Sequence, residues 1–142
     1  MSTRSVIAVP HKDSWRGRYC HYDGYPSGVG VELQRIYTEV FQGDLEIMKK
    51  HLTIHHHEWA DLRDLEDDQP ESQVVPHVGR AQKTDDNSWI TRDGDDWGTE
   101  WAYVMKPEGI VVYQRIWDTS PKRWHERGLV YWADTLTMER IC

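Results

Sequence analysis

The chain has 142 residues, which is enough for one domain with a single hydrophobic core but not for two. Eight Trp and seven Tyr against one Phe give it large side chains whose polar ends need hydrogen-bond partners. The net charge of −7 arises within residues 61–96, where eleven acids stand against four bases, so direct binding to nucleic-acid phosphates is disfavoured.

The sequence also argues against a membrane protein and against a disulfide-rich or zinc-binding protein. No apolar run approaches the roughly 18 residues that span a bilayer, and the apolar stretch near the N-terminus is far shorter than a signal-peptide core. Cys20 and Cys142 are too few for a disulfide framework or a zinc site. We therefore expect a soluble cytoplasmic protein with reduced thiols and no membrane contact.

Residues 5–22 are predicted to form a β-hairpin. The segment SVIAV at 5–9 is rich in β-branched residues, a polar turn HKDS follows, and WRGRYCHY then alternates in character. The next element is a helical pair over 30–62. Its first member has the apolar spacing i, i+3, i+4, i+7, i+8, at Leu33, Ile36, Tyr37, Val40 and Phe41.

Gly43 and Asp44 are typical of a helix end and of an N-cap, so a second helix is predicted from Leu45 to about residue 62. Residues 63–98 lack periodicity and are predicted to form a long acidic loop. A second β-hairpin is predicted over 99–117, around the turn KPEG, and a C-terminal helix and strand over 121–142, beginning at Ser120-Pro121. The predicted fold is one α+β domain, 1–142, with about four to five antiparallel strands and two principal helices on one face.

The segment YCHYDGYP at 19–26 resembles the YCHWDGYP signature of small, functionally uncharacterised proteins from bacteriophages and prophages. The opening Ser2-Thr3-Arg4 and the later Gly30, Leu33 and Tyr37 also fit this family, and Glu100-Trp101-Ala102-Tyr103 corresponds to its EYAY-type strand. The resemblance is close over 1–43 and loose over 98–115, and Tyr22 replaces the usual Trp. It implies a phage-type accessory protein and supplies no catalytic residues.

The signature itself allows two interpretations. It is either a packed turn or a ligand or partner surface, in which a glycine-rich turn enters a helix beside several aromatic rings. The candidate binding residues are Tyr19, His21, Tyr22, Asp23, Tyr25, Trp97 and Trp101. Cysteine catalysis is disfavoured because neighbours on a strand point to opposite faces, so that His21 could not readily activate Cys20.

Two further clusters of residues each allow a structural and a functional interpretation. His51, His55 and Glu58 would share one stripe of a continuous helix and could ligate a metal, although a solvated polar face is the simpler interpretation. The acidic segment is either a solvated loop or a docking face for a basic partner. That face would comprise Asp61, Asp64, Glu66, Asp67, Asp68, Asp93, Asp95 and Asp96.

No combination of nucleophile, base and orienting group is recognisable in the sequence, so enzymatic activity is not favoured. We expect a phage-type accessory protein, in the host cytoplasm if a phage encodes it, that antagonises a host function, for instance antiviral defence of the CRISPR type. It would bind a host protein with a basic surface through the acidic face. The alternatives are sequestration of a nucleotide-like signal by the turn 19–30 and metal-dependent hydrolysis. No other cofactor is expected, and the oligomeric state is left open.

Overall fold

The computed structural model describes residues 3–66, 73–94, 98–117 and 123–141. Their main element is a mixed nine-stranded sheet in the order β4-β5-β3-β2-β1-β7-β8-β9, with β6 also paired to β2. The strands are β1 (Ser5–His11), β2 (Ser14–Cys20), β3 (Glu58–Leu62), β4 (Val74–Val75), β5 (Gly79–Ala81), β6 (Ile90–Thr91), β7 (Trp101–Met105), β8 (Gly109–Ile116) and β9 (Arg123–Tyr131). Most neighbours are antiparallel, but β1 is parallel to β7 and β2 is parallel to β3.

The helices are short. Helix α1 (Val31–Arg35) is flanked by the π-helical turns Pro26–Gly30 and Ile36–Val40, and α2 (Leu45–Thr53) and α3 (Thr135–Arg140) are separate. No helix among the described residues is long and apolar enough to cross a membrane. The predicted fold class, with four to five strands and two principal helices, is therefore wrong: the described residues form a nine-stranded mixed sheet with only three short α-helices.

The second predicted helix is shorter than expected, and a β-bulge explains why the sequence pattern resembled a longer helix. The helix ends at Thr53, and residues up to Leu62 return as β3. The pairing of β3 with β5 shifts between Trp59 and Asp61, and this bulge lets Trp59 and Leu62 face the same core although they are three residues apart. A spacing of three on one face imitates the helical period, which explains the incorrect prediction.

A second bulge explains the error at the C-terminus. Residues 123–127, predicted as helix, belong to β9, whose pairing with β8 shifts between Val112 and Tyr113. Trp124 and Val130 consequently pack into different cores although both positions are even-numbered, so the strand shows no period-2 pattern. Ser120 and Pro121, from which the helix was predicted to begin, lie outside the described residues. The described C-terminal helix is instead α3, capped by the Asp134 side chain.

The sheet is buried on both faces. One face packs against the helices, and its cluster includes Ile7, Cys20 and Tyr103 together with Leu33 and Met48. The opposite face holds a second cluster. There the Trp15 ring lies 5.3 Å from the Trp124 ring and 5.9 Å from the Tyr113 ring, measured between centroids. Alternation along β1 and β2 thus fills two cores, and residues 21–30 connect β2 to the helical face.

Candidate functional site

The signature turn, residues 19–30, continues directly from the sheet. Beyond the end of β2, the amides of His21 and Tyr22 still donate to the carbonyls of Trp59 and Ala60, at 3.0 and 2.8 Å. Asp23 then adopts a left-handed conformation with φ of 57°, which Asp tolerates better than most residues. The chain therefore turns sharply just where its strand partner ends.

Close backbone packing fixes this turn. A Cβ at Gly24 would lie 2.7 Å from the carbonyl oxygen of Thr3, and a Cβ at Gly28 would lie 2.2 Å from that of Asp23. The Gly24 amide donates to Thr3 O at 2.9 Å, and the Val29 amide donates to Asp23 O at 2.9 Å. Neither glycine could carry a side chain without a backbone shift.

A buried tyrosine supports the turn from the core. The Tyr103 hydroxyl, on β7, donates to the carbonyl of Gly24. Tyr103 is fully buried, and this burial raises the pKa of its phenol well above its usual value, so the hydroxyl keeps its proton. The carbonyl of the tightest part of the turn thus has a permanent donor.

The side chains of the turn are exposed although its backbone is held. Tyr22 retains 48% and Tyr25 retains 41% of its accessible surface. The Tyr25 hydroxyl donates to Asp23 Oδ1 at 3.2 Å, and the Asp23 carboxylate raises the pKa of Tyr25. The His21 ring meets the Tyr22 ring edge-on at 4.4 Å. The exposed Tyr25 phenol therefore stands beside the exposed Asp23 carboxylate, and the exposed Tyr22 ring packs on His21.

A small polar crevice lies next to the turn. The Tyr19 hydroxyl and His21 Nδ1 are 2.7 Å apart, and the pairing of β2 with β3 places Glu58 opposite Tyr19. The crevice, of about 10 Å³, has room for one water and is lined by Tyr19, Glu58, His57, Asp86, Ser88 and Ile90. Burial, and secondarily Asp86, raise the pKa of Glu58. The local sequence pattern could not predict that Glu58 and Asp86 lie beside the signature. Long-range strand pairing brings them there.

A buried arginine holds the segment that closes this crevice. Arg18 is 2% exposed, and its guanidinium donates to Thr53 O at 2.7 Å, to Ser88 O at 2.9 Å and to Asn87 Oδ1 at 3.1 Å. It also lies 3.7 Å from the centre of the Trp89 ring. The one sequence signal for this buried arginine was its alternating position on β2.

Neither Trp101 nor Cys20 is available at the surface of the signature turn. Trp101 is only 6% exposed, and Ser5 pairs with both Trp101 and Cys20, so β1 separates the tryptophan from the signature strand. Trp97 lies outside the described residues. Cys20 is buried, with its sulfur 3.8 Å from Tyr22 O, and burial raises the pKa of its thiol to about 12. It is a core residue that keeps its proton at neutral pH.

The proposed metal stripe is not assembled. Because α2 ends at Thr53, Glu58 lies on a strand, away from the helix that carries His51. The His51 and His55 rings are 6.2 Å apart, and His51 also packs against His56 and Trp59. Within the described ranges, no group of three His, Cys, Asp or Glu side chains could hold a metal ion. The cluster is an aromatic contact at the end of α2.

The acids described in the structure do not form one surface. Asp61 is 7% exposed and pairs with Arg63 at 3.1 Å, so it is not available for docking. Asp64 and Glu66 follow β3 past the C-terminal end of β2, whereas Asp93 follows the antiparallel β6 toward the N-terminal end of β2. The remaining members of the predicted face, Asp67, Asp68, Asp95 and Asp96, lie outside the described residues. The described acids that follow β3 and β6 therefore lie toward opposite ends of β2.

Comparisons with known proteins leave the site to be interpreted from its own geometry. No protein-family model, no curated protein and no solved structure matches the chain. The resemblance to the YCHWDGYP proteins stays a prediction from the signature residues.

Proposed function

We propose that the protein is a non-enzymatic binding protein whose contact surface is centred on Tyr22, Asp23 and Tyr25. This surface, called here the tyrosine platform, takes up a cationic side chain from the surface of a partner protein. With the phage-type resemblance of the signature, the partner would be a host protein with a basic surface, and binding would antagonise its function.

The observation that carries this proposal is the contrast between backbone and side chains in the turn. The backbone is constrained by close packing at Gly24 and by a buried donor from Tyr103, while the tyrosines above it are exposed. Folding alone does not require large exposed phenols on so restricted a turn. Rigid aromatic side chains on a fixed backbone are typical of recognition surfaces, because little conformational entropy is lost on binding.

The chemistry of the platform favours a cation. Phenol faces attract guanidinium and ammonium groups, and the Asp23 carboxylate beside Tyr25 offers a charged acceptor. The overall charge of −7 would add long-range attraction for a basic partner. The expected partner is therefore still a protein with a basic surface. The proposed centre of contact is now the tyrosine platform and not the acidic segment.

Nuclear magnetic resonance with a matched pair of peptides tests the proposal. The probe is a short capped peptide with one arginine, and the control peptide carries citrulline, which is neutral and nearly isosteric. We expect the arginine peptide to shift the ring signals of Tyr22 and Tyr25, with Tyr22→Ala weakening binding by about threefold. Asp23→Asn, which keeps a residue tolerant of positive φ, should weaken it by about tenfold.

Tyr131→Ala is the matched control variant, since Tyr131 is 62% exposed on β9 and lies outside the platform. It should bind the arginine peptide as the unsubstituted protein does. Equal binding of the citrulline and arginine peptides, or unchanged binding by the Tyr22 and Asp23 variants, would refute a cation-binding platform.

A further inference from the structure

A second candidate site lies toward the opposite end of β2 from the tyrosine platform. Side chains alternate along β2, so Arg16 and Arg18 share one face of the sheet, and the pairing of β6 with β2 brings Trp89 beside them. The guanidinium carbons of Arg16 and Arg18 lie 4.0 and 3.7 Å from the centre of the Trp89 ring. Two guanidinium groups this close to one ring centre would overlap on a single face. The indole is therefore held between the two arginines.

The two stacked arginines bring positive charge together without a carboxylate partner. Arg18 donates only to neutral oxygens of the described residues, which belong to Thr53, Asn87 and Ser88. No carboxylate in the described ranges forms an ion pair with Arg16 or Arg18. Burial, and secondarily the charge of Arg16, lowers the pKa of Arg18. An anion bound here would compensate charge that the fold leaves unbalanced.

The outer end of the Arg16 side chain is accessible to a ligand. Arg16 is half-buried, and its Nε is enclosed without a partner in the part of the chain that the structure describes. Its terminal nitrogens, Nη1 and Nη2, are not enclosed, and they make no hydrogen bond with the residues described. Stacking on Trp89 occupies the face of the guanidinium and leaves the N–H groups at its edge available. The indole thus fixes a fork of donors that reaches solvent.

Two further basic residues lie near the Arg16 fork. His11 is on the same face of the sheet, diagonally across the pair of β1 and β2 from Arg16, and Lys12 follows it in the hairpin turn. Partial desolvation, followed by the charges of Arg16 and Lys12, lowers the pKa of His11. Asp13 and Asp93 also lie at this end of β2, but neither forms an ion pair with a described residue. The two charges that act on His11 are therefore both positive.

We propose that the Arg16 fork binds a phosphate monoester through Nη1 and Nη2, with Lys12 supplying a second positive charge. Two phosphate oxygens would each accept one terminal N–H group, in the bidentate geometry that a guanidinium favours. A dianion suits the site better than a carboxylate, because Arg16, Arg18 and Lys12 together bring more than one positive charge. The chain as a whole has a net charge of −7, so a single phosphate group is favoured over a polyanion.

Titration of ¹⁵N-labelled protein with three probes tests this assignment. The probes are inorganic phosphate, a short capped peptide with one phosphoserine, and the same peptide with glutamate in its place. At about pH 7.5 the phosphate groups are mainly dianionic. We expect inorganic phosphate and the phosphopeptide to shift the Arg16 Nε–H and Trp89 indole signals saturably, with dissociation constants on the order of 1 mM. The glutamate peptide should bind at least about fivefold more weakly.

The same titrations distinguish the two sources of a phosphate monoester. Phosphopeptide binding about tenfold tighter than that of inorganic phosphate would identify a phosphorylated protein side chain as the ligand. Equal binding of the two would identify a free phosphate compound. A glutamate peptide that binds as tightly as the phosphopeptide, or the absence of a saturable shift with every probe, would overturn the proposal.

Variants connect phosphate binding to the fork. Arg16→Lys keeps the charge but loses the fork, and it should weaken binding by about tenfold. Lys12→Asn removes a charge and keeps a residue tolerant of the positive φ at this position, so it should weaken binding by about threefold and provides a test even if Arg16→Lys does not fold. Arg123→Lys, at an exposed arginine on β9, is the matched control and should bind normally. Tyr22→Ala should also bind normally, so failure of the tyrosine platform would not affect this result. Unchanged binding by the Arg16 or Lys12 variant would contradict the assignment.

Discussion

The burial of the His51 side chain predicts how the stability of the protein depends on pH. The imidazole lies at the end of α2, with ring centroids 5.3 Å from Phe41 and 4.9 Å from His56. Its Nε2 is buried, and no described residue is bonded to it. Burial, followed by the neighbouring His56 and His55, lowers the pKa of His51 from 6.5 to about 4. The folded state therefore resists protonation of this ring.

The sign and size of the effect on stability follow from this shift. Well above pH 6.5 the ring is neutral in the folded and unfolded states, so there it adds no pH dependence. As the pH falls from 6.5 toward 4, the unfolded state binds a proton that the folded state does not, and the free energy of unfolding falls. Between pH 7 and pH 5 the two pKa values give about 2 kcal/mol. Because His51 is only partly buried, solvent screening reduces our expected value to about 1 kcal/mol.

Urea unfolding at pH 5, 6 and 7 measures this contribution. The His51→Gln variant should lose about 1 kcal/mol of the pH dependence that the unsubstituted protein shows. His125→Gln removes an exposed imidazole from β9 and should leave that dependence unchanged. If His51→Gln and the unsubstituted protein lose stability equally between pH 7 and pH 5, the assignment of a neutral buried His51 is incorrect.

Three further predictions concern the packing around the signature. Gly30→Ala would place a Cβ 2.6 Å from Met138 Sδ, so we expect a loss of about 1–2 kcal/mol in urea unfolding, and the loss should shrink in the Met138→Ala background. Cys20 should resist iodoacetamide in the native protein and react in urea, as read by peptide mass mapping; labelling of the native protein would contradict its burial. Arg18→Lys keeps the charge but not the planar set of donors, so a cost of about 2–3 kcal/mol is expected, and a cost near zero would show that the Thr53 and Ser88 contacts do not stabilise the fold.

The parts of the fold that were predictable from sequence depend on local signals. Strand alternation around a polar turn predicts the hairpin of β1 and β2, and the turn KPEG predicts the hairpin of β7 and β8. The apolar period that begins at Leu33 identifies a helical segment, although its ends are π-helical. In each case one core face and one turn lie within about twenty residues of sequence.

The errors depend on non-local contacts. The bulges in β3 and β9 alter the side-chain period, so Trp59 imitates a helical position and Trp124 shows no strand alternation. The parallel pairing of β2 with β3 depends on residues about forty positions apart, and it alone brings Glu58 to the signature. For α3, by contrast, a signal was present: the Asp134 carboxylate accepts from the Thr137 amide, and an Asp-x-x-Thr pattern is readable in the sequence.

The tyrosine platform requires a fixed backbone in the free protein, and backbone ¹⁵N relaxation measures this most directly. We predict order parameters of about 0.85 for the amides of Tyr22, Asp23 and Gly24, equal to those of the neighbouring strand β2. Values below about 0.6 at these three amides would mean that the turn is flexible before binding, and they would contradict the account of a preformed contact surface.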